Sequence, residues 1–215
     1  MAGAGADCRF STDCRRCARL AGHLAAVRAE YPDYHAKPVA PFGASRARLL
    51  IVGLAPGMHG ANRTGRPFTG DYAGILLYET LHRFGYASRP DAVDPADGLQ
   101  LRDCRITNAV KCLPPQNKPT PDEVKRCNTY LQQELRELPA GAAVLALGRI
   151  AHEAVLRASG LRPAQFAFAH AARHDLPGGP VLFDSYHCSR YNTQTRRLTD
   201  SMFRDVFKAV QEYLA

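Results

Sequence analysis

The strongest constraint on the fold is a repeated alternation between short apolar runs and amphipathic segments. Four runs have the length and branched aliphatic content of buried β-strands; they span residues 48–54, 104–110, 142–147 and 180–184. Helical spacing of apolar residues follows in segments 74–84, 120–135, 149–156 and 198–214. This alternation predicts an α/β fold with three layers, α/β/α, around a central four-stranded parallel sheet.

The chain has the features of a single domain over residues 1–215. No internal repeat or low-complexity linker divides it, and residues 90–98 are expected to form a polar surface loop. The apolar runs are too short to span a bilayer, and residues 1–7 lack the basic and apolar regions of a signal peptide. We therefore expect no membrane association and a cytoplasmic location.

The charge balance indicates a polyanionic partner. The sequence has 28 Lys and Arg residues against 20 Asp and Glu, which gives a net charge of +8. Nucleic acid is the simplest such partner, although charge alone is weak support for it.

Two pairs of cysteines have spacings typical of metal ligands. Cys14 and Cys17 form a CxxC among polar neighbours, whereas Cys112 lies in a loop and Cys127 one turn into the helix predicted to begin after Thr120. Four thiolates from these segments could bind zinc or an iron–sulfur cluster, and the spacing does not choose between them. Cys127 could also be an ordinary core residue, because it lies on the apolar stripe of its helix.

The remaining cysteines give weaker signals. The cysteine count is odd, at seven, and without a signal peptide it favours a reducing compartment over a disulfide framework. Cys104 opens a predicted strand, so we expect it to be buried and inert. The pattern assigns no role to Cys8 or Cys188.

The loop after the first strand, residues 53–71, has the character of a ligand-binding loop. Its five glycines permit close backbone approach, yet it matches neither a P-loop nor a dinucleotide-binding fingerprint. Arg63 and Arg66 are candidates for phosphate contacts, and Phe68 offers a ring on which a base could stack. Asp71 precedes the next helix, where a carboxylate is most often an N-cap.

Several motifs together resemble the iron–sulfur uracil-DNA glycosylases of bacteria and archaea, in particular the family 5 (type B) branch. The resemblance covers residues 14–199. The motifs are CRRC at 14–17, GLAPGMHGANRTGRPFTGD at 53–71, TNAVKCLPPQNKPTPDEVKRC at 107–127, LALG at 145–148 and HCSRYNTQTRRLT at 187–199. Leu54 stands where the similar family 4 enzymes carry an acidic residue, which favours family 5.

The resemblance implies a structural four-iron–four-sulfur (4Fe-4S) cluster and a base-binding pocket. Its four ligands would be Cys14, Cys17, Cys112 and Cys127. In the pocket, the family stacks an aromatic ring on uracil at the position of Phe68. An amide at the position of Asn108 reads the edge of the base, and Asn117 is a weaker second candidate. Backbone contacts around the pocket would come from Gly53, Ala55 and Gly57.

The resemblance also implies the catalytic groups and the surface that contacts DNA. His187 would stabilise charge that develops on the departing base, with Ser189 and Asn192 beside it. Asp71 would place the water or balance the sugar cation, a role compatible with capping a helix. The arginines expected to meet phosphates in this region are Arg190, Arg196 and Arg197.

One position departs from the family pattern. The second motif often reads His-Pro-Ser, whereas this chain has His187, Cys188 and Ser189. We expect the chemistry to survive, and Cys188 to alter the fit against the damaged strand or to make the site sensitive to oxidation.

The function implied is a monofunctional glycosylase that flips uracil out of DNA and hydrolyses its N-glycosidic bond in base excision repair. Hypoxanthine and other deaminated bases are further candidate substrates. The expected partner is DNA that contains such a base, and the expected form is a nucleoid-associated monomer. Two alternatives stay open: a family 4-like enzyme restricted to uracil, and a non-catalytic iron–sulfur or zinc module that binds DNA.

Overall fold

The structure, a computed structural model, describes residues 10–215, so Cys8 and the segment examined for a signal peptide lie outside it. These described residues form six strands: β1 (Phe42–Gly43), β2 (Leu49–Gly53), β3 (Cys104–Asn108), β4 (Ala143–Leu147), β5 (Arg173–Asp175) and β6 (Val181–Ser185). Seven α-helices accompany them: α1 (Ala18–Glu30), α2 (Ala61–Thr64), α3 (Tyr72–Arg83), α4 (Pro121–Arg136), α5 (Arg149–Ala158), α6 (Arg190–Gln194) and α7 (Asp200–Leu214).

The sheet has the strand order β1-β3-β2-β4-β6-β5. Its four central strands are parallel, and they are the four strands predicted from the sequence. The prediction of only four strands is wrong, because β1 and β5 pair antiparallel at the two edges. These edge strands are two and three residues long, too short to leave an alternating pattern in the sequence.

Each face of the sheet is covered by helices, which confirms the α/β/α layers. Leu49 and Ile51 point to the side packed by α3 and α7, whereas Leu50 and Val52 point to the side packed by α1, α4 and α5. All residues of the four parallel strands except Arg105 are buried, as expected for a sheet covered on both faces. Within residues 10–215, no helix is long and apolar enough to cross a membrane.

The start of α4 forms as predicted. The Thr120 hydroxyl accepts a hydrogen bond from the Glu123 amide, and the Glu123 carboxylate accepts one from the Thr120 amide at 2.7 Å. Glu123 also pairs with Arg19 at 2.7 Å, so this capping box ties α4 to α1, the helix that follows the CxxC. The sequence analysis missed α1, although its buried Leu20, Leu24 and Val27 have helical spacing.

Candidate active site

A pocket opens at the carboxyl ends of the parallel strands, close to β2. The chain passes from β2 to β3 on one side and returns to β4 on the other, and ligands in α/β sheets bind at such a reversal of strand order. The pocket has a volume of about 330 Å³. Its lining comprises Leu54, Ala55, Gly57, Ala61, Phe68, Asp71, Ala73, Asn108, Asn117, His187 and Ser189. Eight of the predicted site residues therefore meet in one cavity.

Phe68 has a strained backbone conformation, and two glycines make room for its ring and its carbonyl group. Its φ is +55°, a conformation that costs a non-glycine residue about 1–3 kcal/mol and that is concentrated at functional sites. A Cβ at Gly53 would lie 2.7 Å from the Phe68 ring, and a Cβ at Gly74 would overlap the Phe68 carbonyl. Gly53 does not line the pocket, but its lack of a side chain lets the ring sit there.

Asn108, the last residue of β3, presents an unsatisfied acceptor. Its side-chain oxygen Oδ1 is buried and has no hydrogen-bond partner. A buried polar atom without a partner costs about 1–3 kcal/mol, so its persistence beside a cavity indicates a ligand that donates a hydrogen to it. Its neighbour Thr107 accepts a hydrogen bond from the buried Lys111 ammonium, which also pairs with Glu134.

Asp71 both caps a helix and lines the pocket. Its Oδ1 accepts a hydrogen bond from the Gly74 amide at 2.9 Å, which makes it the N-cap of α3. Its Oδ2 faces Gly57 and Gly60, and a Cβ at Gly60 would overlap the Asp71 side chain. Burial raises the pKa of this carboxyl, while amide donors of the first helical turn oppose the shift.

His187 follows β6 and is neutral at physiological pH. Burial of the imidazole lowers its pKa to about 4. The ring faces Phe68 with centroids 5.9 Å apart and planes inclined by 26°. Asn192 does not line the pocket; its amide instead donates to the His187 carbonyl at 2.8 Å and fixes the turn that carries the imidazole.

One predicted DNA contact is wrong. Arg66 is buried, and its guanidinium makes two hydrogen bonds to Asp97, at 3.0 and 2.6 Å. This ion pair holds the pKa of Asp97 well below its usual range and anchors loop 90–98 to the glycine-rich loop. Arg66 is thus a structural residue that cannot reach a phosphate.

The other predicted arginines are exposed. Arg190 lies over the Tyr72 ring at 5.7 Å, and Arg197 lies over the Tyr186 ring at 4.6 Å. Arg63 donates to the His59 carbonyl, and Arg196 follows α6 at the surface. Arg63 lies between β2 and α3, and the other three lie between β6 and α7; these two segments also carry Phe68, Asp71 and His187.

The four predicted ligand cysteines line a second, smaller cavity between the N-terminal segment and α4. Cys112 and Cys127 are buried, whereas Cys14 and Cys17 are partly exposed. Two donors point at the sulfurs: the Lys111 amide lies 3.3 Å from Cys127 Sγ, and the Tyr130 hydroxyl lies 3.2 Å from Cys14 Sγ. Hydrogen bonds to ligand sulfurs are typical of metal and cluster sites.

Burial raises the pKa of Cys17, Cys112 and Cys127 and so disfavours their thiolate form. Burial and the neighbouring thiols raise the pKa of Cys112, and burial raises that of Cys127 to about 11. A bound cation would reverse this preference, since it deprotonates coordinating thiols. The donor set therefore fits a metal or cluster site.

Cys104 and Cys188 are buried away from this cavity. Cys104 is fully buried in β3, as predicted. Cys188 is also fully buried, and its side chain packs into the core on the α3 and α7 side of the sheet. The expectation that Cys188 meets the damaged strand is therefore wrong, and burial raises the pKa of its thiol, which protects it from oxidation.

The sequence analysis missed several residues of the site. Gly60 makes room for Asp71, and Ala61 and Ala73 line the pocket. Tyr191, beside the predicted Arg190, exposes 70% of its surface near the pocket, and Tyr72 exposes 43%. The adjacent pair Arg190 and Tyr191 is the sequence signal that could have indicated this surface, because aromatic and arginine side chains together are typical of nucleic-acid contacts.

Comparison with known proteins defines the class of this fold and site. Residues 40–211 match the family model described as the uracil DNA glycosylase superfamily. The chain belongs to this superfamily, and within it to the type-5 group.

Two relatives carry the assignment to the type-5 group. The chain is 50% identical to a type-5 uracil-DNA glycosylase of Thermus thermophilus over 91% of each chain. It is 41% identical to one of Mycobacterium tuberculosis over 98% of this chain and 82% of the relative. A type-4 uracil-DNA glycosylase of Archaeoglobus fulgidus is 37% identical, but over only 51% of this chain and 47% of the relative.

Proposed function

We propose that this protein is a monofunctional DNA glycosylase that flips uracil out of DNA and hydrolyses its N-glycosidic bond, which initiates base excision repair. The observation that carries the proposal is the convergence of Phe68, Asn108, Asp71 and His187 on one pocket. The type-5 uracil-DNA glycosylases that it resembles over nearly their whole length support it.

Asn108 supplies the basis for recognising the base. Uracil presents an N3–H donor between two carbonyl oxygens, and this donor satisfies the orphaned Asn108 Oδ1. Cytosine has an unprotonated acceptor at N3, which would face Oδ1 lone pair to lone pair, so it is rejected. Stacking on Phe68 contributes about 1–3 kcal/mol and offsets the cost of leaving the duplex stack.

The same reasoning extends the substrates to hypoxanthine. Hypoxanthine also has a ring N–H beside a carbonyl group, whereas adenine has an acceptor at the corresponding nitrogen. The cavity of about 330 Å³ leaves room for a purine ring. Deamination thus creates the donor that Asn108 requires in both cases.

His187 and Asp71 each stabilise one of the two charges that form during cleavage. Cleavage gives a base anion and an oxocarbenium-like sugar, and both need stabilisation. The neutral His187 donates an N–H to the departing base without first losing a proton. Ionised Asp71 orients and deprotonates the attacking water and balances the sugar cation.

The exposed residues around the pocket hold the DNA. Arg63, Arg190, Arg196 and Arg197 contact phosphates, and the net charge of +8 favours the encounter. Tyr191 is large, exposed and close to the His187 loop, so it can insert into the stack where the base was removed.

Water rather than an amine is the nucleophile. Among the described residues, no lysine lines the active-site pocket, and Lys111 is buried beside the cysteines in an ion pair with Glu134. A glycosylase without a pocket amine forms no Schiff base and does not cleave the strand.

The four cysteines bind a 4Fe-4S cluster rather than a single zinc ion. Ligand sulfurs on one tetrahedral zinc would lie about 3.8 Å apart. Among the His, Cys, Asp and Glu side chains of residues 10–215, the one group of three whose ligand atoms lie within 4.8 Å of one another is His152, His174 and Asp184, so no three of the cysteine sulfurs approach that closely. The cluster would join the N-terminal segment to α4 as a structural element.

Replacing a ligand cysteine tests the cluster. Anaerobically purified Cys17→Ser and Cys112→Ser should lose iron, acid-labile sulfide and the visible absorbance of the wild type. Cys104→Ser is the matched control, because this buried cysteine lies away from the cavity. Zinc in place of iron in the wild type would contradict the proposal.

Release of free base tests the activity. Purified protein should release uracil from a uracil-containing duplex and leave an abasic strand that breaks only in alkali. Salt-dependent DNA binding with no base release would instead identify a non-catalytic binding module. Release of uracil but not hypoxanthine would support a uracil-restricted enzyme of the type-4 kind.

A further inference from the structure

A buried cluster of two histidines and an aspartate lies outside the active-site pocket. The Asp184 carboxylate in β6 is fully buried, and its two oxygens contact His152 Nδ1 of α5 at 2.8 Å and His174 Nε2 of β5 at 3.1 Å. His152 is 1% exposed. Within residues 10–215 no arginine or lysine pairs with Asp184, so these two rings are its only side-chain partners there.

The partners of His152 require protons on both of its nitrogens. Nδ1 faces the Asp184 carboxylate, and Nε2 faces the Phe166 carbonyl at 3.0 Å. Both partners only accept hydrogen bonds, so the ring donates twice and carries a positive charge. The ring then has no lone pair to offer a metal, which makes an ion pair the better description of this cluster. Although burial opposes it, the interaction with Asp184 raises the pKa of His152.

The cluster is connected to His187 through Gly148 and the end of β6. His152 lies in the first turn of α5, and its amide donates to the Gly148 carbonyl at 3.1 Å. The Gly148 amide in turn donates to Ser185, the residue after Asp184, at 2.8 Å. A Cβ at Gly148 would lie 3.6 Å from the Cβ of His187. The His152–Asp184 pair thus clamps the start of α5 to the strand that leads into His187.

We propose that the buried His152–Asp184 ion pair is a positioning group for His187, which keeps the start of α5 packed against this residue. The proposal rests on the proposed function for its effect on rate, but its effect on His187 itself does not require activity. His152 and Asp184 line no part of the active-site pocket and act only through Gly148 and β6.

Asp184→Asn tests the proposal, because it keeps the size of the side chain and removes its charge. NMR titration of the folded protein should show the pKa of His187 rising from about 4 towards its ordinary value, as the loosened turn admits water. The kcat for uracil release should fall about tenfold, whereas the Kd for abasic DNA should stay within twofold. Glu212→Gln is the control, because it breaks an exposed ion pair with Lys208 on α7 and should change neither value.

A purely structural role predicts a different result. If Asp184→Asn lowers stability while the pKa of His187 and the kcat of the folded protein stay unchanged, the proposal is overturned. His152→Gln provides the same two readouts if Asp184→Asn does not fold. A wild type that releases no base, with a His187 pKa that still moves in Asp184→Asn, would refute the proposed function and leave the positioning role standing.

Discussion

The ring of Phe68 stands 5.9 Å from the imidazole of His187, with the two planes inclined by only 26°. The two residues come from different strand ends, one in the loop after β2 and the other directly after β6. Phe68 therefore helps to keep water away from His187, and under the proposed function it also offers a face for the base. The neutral state of the histidine follows from this desolvation.

The first prediction concerns pH. The pKa of His187 is about 4 in the folded protein and about 6.5 in an unfolded chain, so the unfolded chain takes up the proton first as the pH falls. The free energy of unfolding should therefore fall between pH 6.5 and pH 4, by about 3 kcal/mol from this residue. Urea denaturation of the wild type and of His187→Gln should show a steeper acid loss in the wild type.

The pH dependence of uracil release should also reflect a neutral His187. Uracil release should not decline as the pH rises through 6.5, because His187 is already neutral there. A fall in rate centred near pH 6.5, absent in His187→Gln, would mean that the imidazolium is the active form and would contradict the role assigned here.

The second prediction separates catalysis from stability at Asp71. Burial raises the pKa of this carboxyl, so the wild type loses stability as the pH rises through that raised value and carries the cost at pH 7. Asp71→Asn removes the charge and keeps an N-cap, since Asn caps as well as Asp. The variant should be more stable than the wild type at pH 7 and slower by about 10²–10⁴-fold in single-turnover uracil release.

Asp71→Ala provides the comparison. It removes both the charge and the cap, and loss of an N-cap costs about 1 kcal/mol, so it should be less stable than Asp71→Asn. Equal rates in Asp71→Asn and the wild type would show that this residue is only a helix cap.

The sequence predicted the parallel strands and the location of the pocket, but not the conformational details of the site. Runs such as residues 48–54 predicted the four parallel strands, because strands buried on both faces must be continuously apolar. The loops at their carboxyl ends predicted the pocket, because parallel strands bring those ends to one edge. Conformational details such as the positive φ of Phe68 leave no such pattern, since they depend on contacts with Gly53 and Gly74.

The third prediction uses the glycine behind the pocket. A Cβ at Gly53 would lie 2.5 Å from Asn108 Oδ1 and 2.7 Å from the Phe68 ring, so Gly53→Ala must displace both side chains. Displacements of about 1 Å can cost 10²-fold in rate, and we expect a loss of about this size in kcat/KM.

Gly22→Ala is its control. Gly22 lies in α1 with nothing within 4 Å of the added methyl group, so the substitution should stabilise the protein by about 1 kcal/mol with no change in rate. Wild-type activity in Gly53→Ala would show that the close approach of Phe68 and Asn108 is not required.

The fourth prediction distinguishes the buried arginine from the exposed ones. Arg66→Gln leaves Asp97 without its partner at a site where both side chains are less than 10% exposed, so it should destabilise the protein by about 3 kcal/mol. Arg190→Gln should leave stability unchanged and reduce the slope of log Kd against log salt by about 1, as expected for one lost phosphate contact. If Arg66→Gln instead reduced the salt dependence of DNA binding and left stability unchanged, Arg66 would be a DNA contact after all.

Arg66 also shows why the sequence alone misassigned a residue. Arg63 and Arg66 lie three residues apart in one glycine-rich loop, and nothing local distinguishes them. The difference comes from Asp97, 31 residues further along the chain, which reaches back to Arg66 but not to Arg63. Long-range ion pairs of this kind are invisible to a pattern read along the chain, as is the His152–Asp184 pair.

The most direct measurement is the amount of free uracil released under single-turnover conditions from a duplex with one uracil, quantified by mass spectrometry. The wild type should release one uracil per duplex and leave an abasic strand uncut until alkali is added. Asp71→Asn and His187→Gln should bind the same duplex but release uracil at least 10²-fold more slowly. If the wild type binds the duplex with its cluster intact and releases no uracil, the pocket is not the active site of a glycosylase.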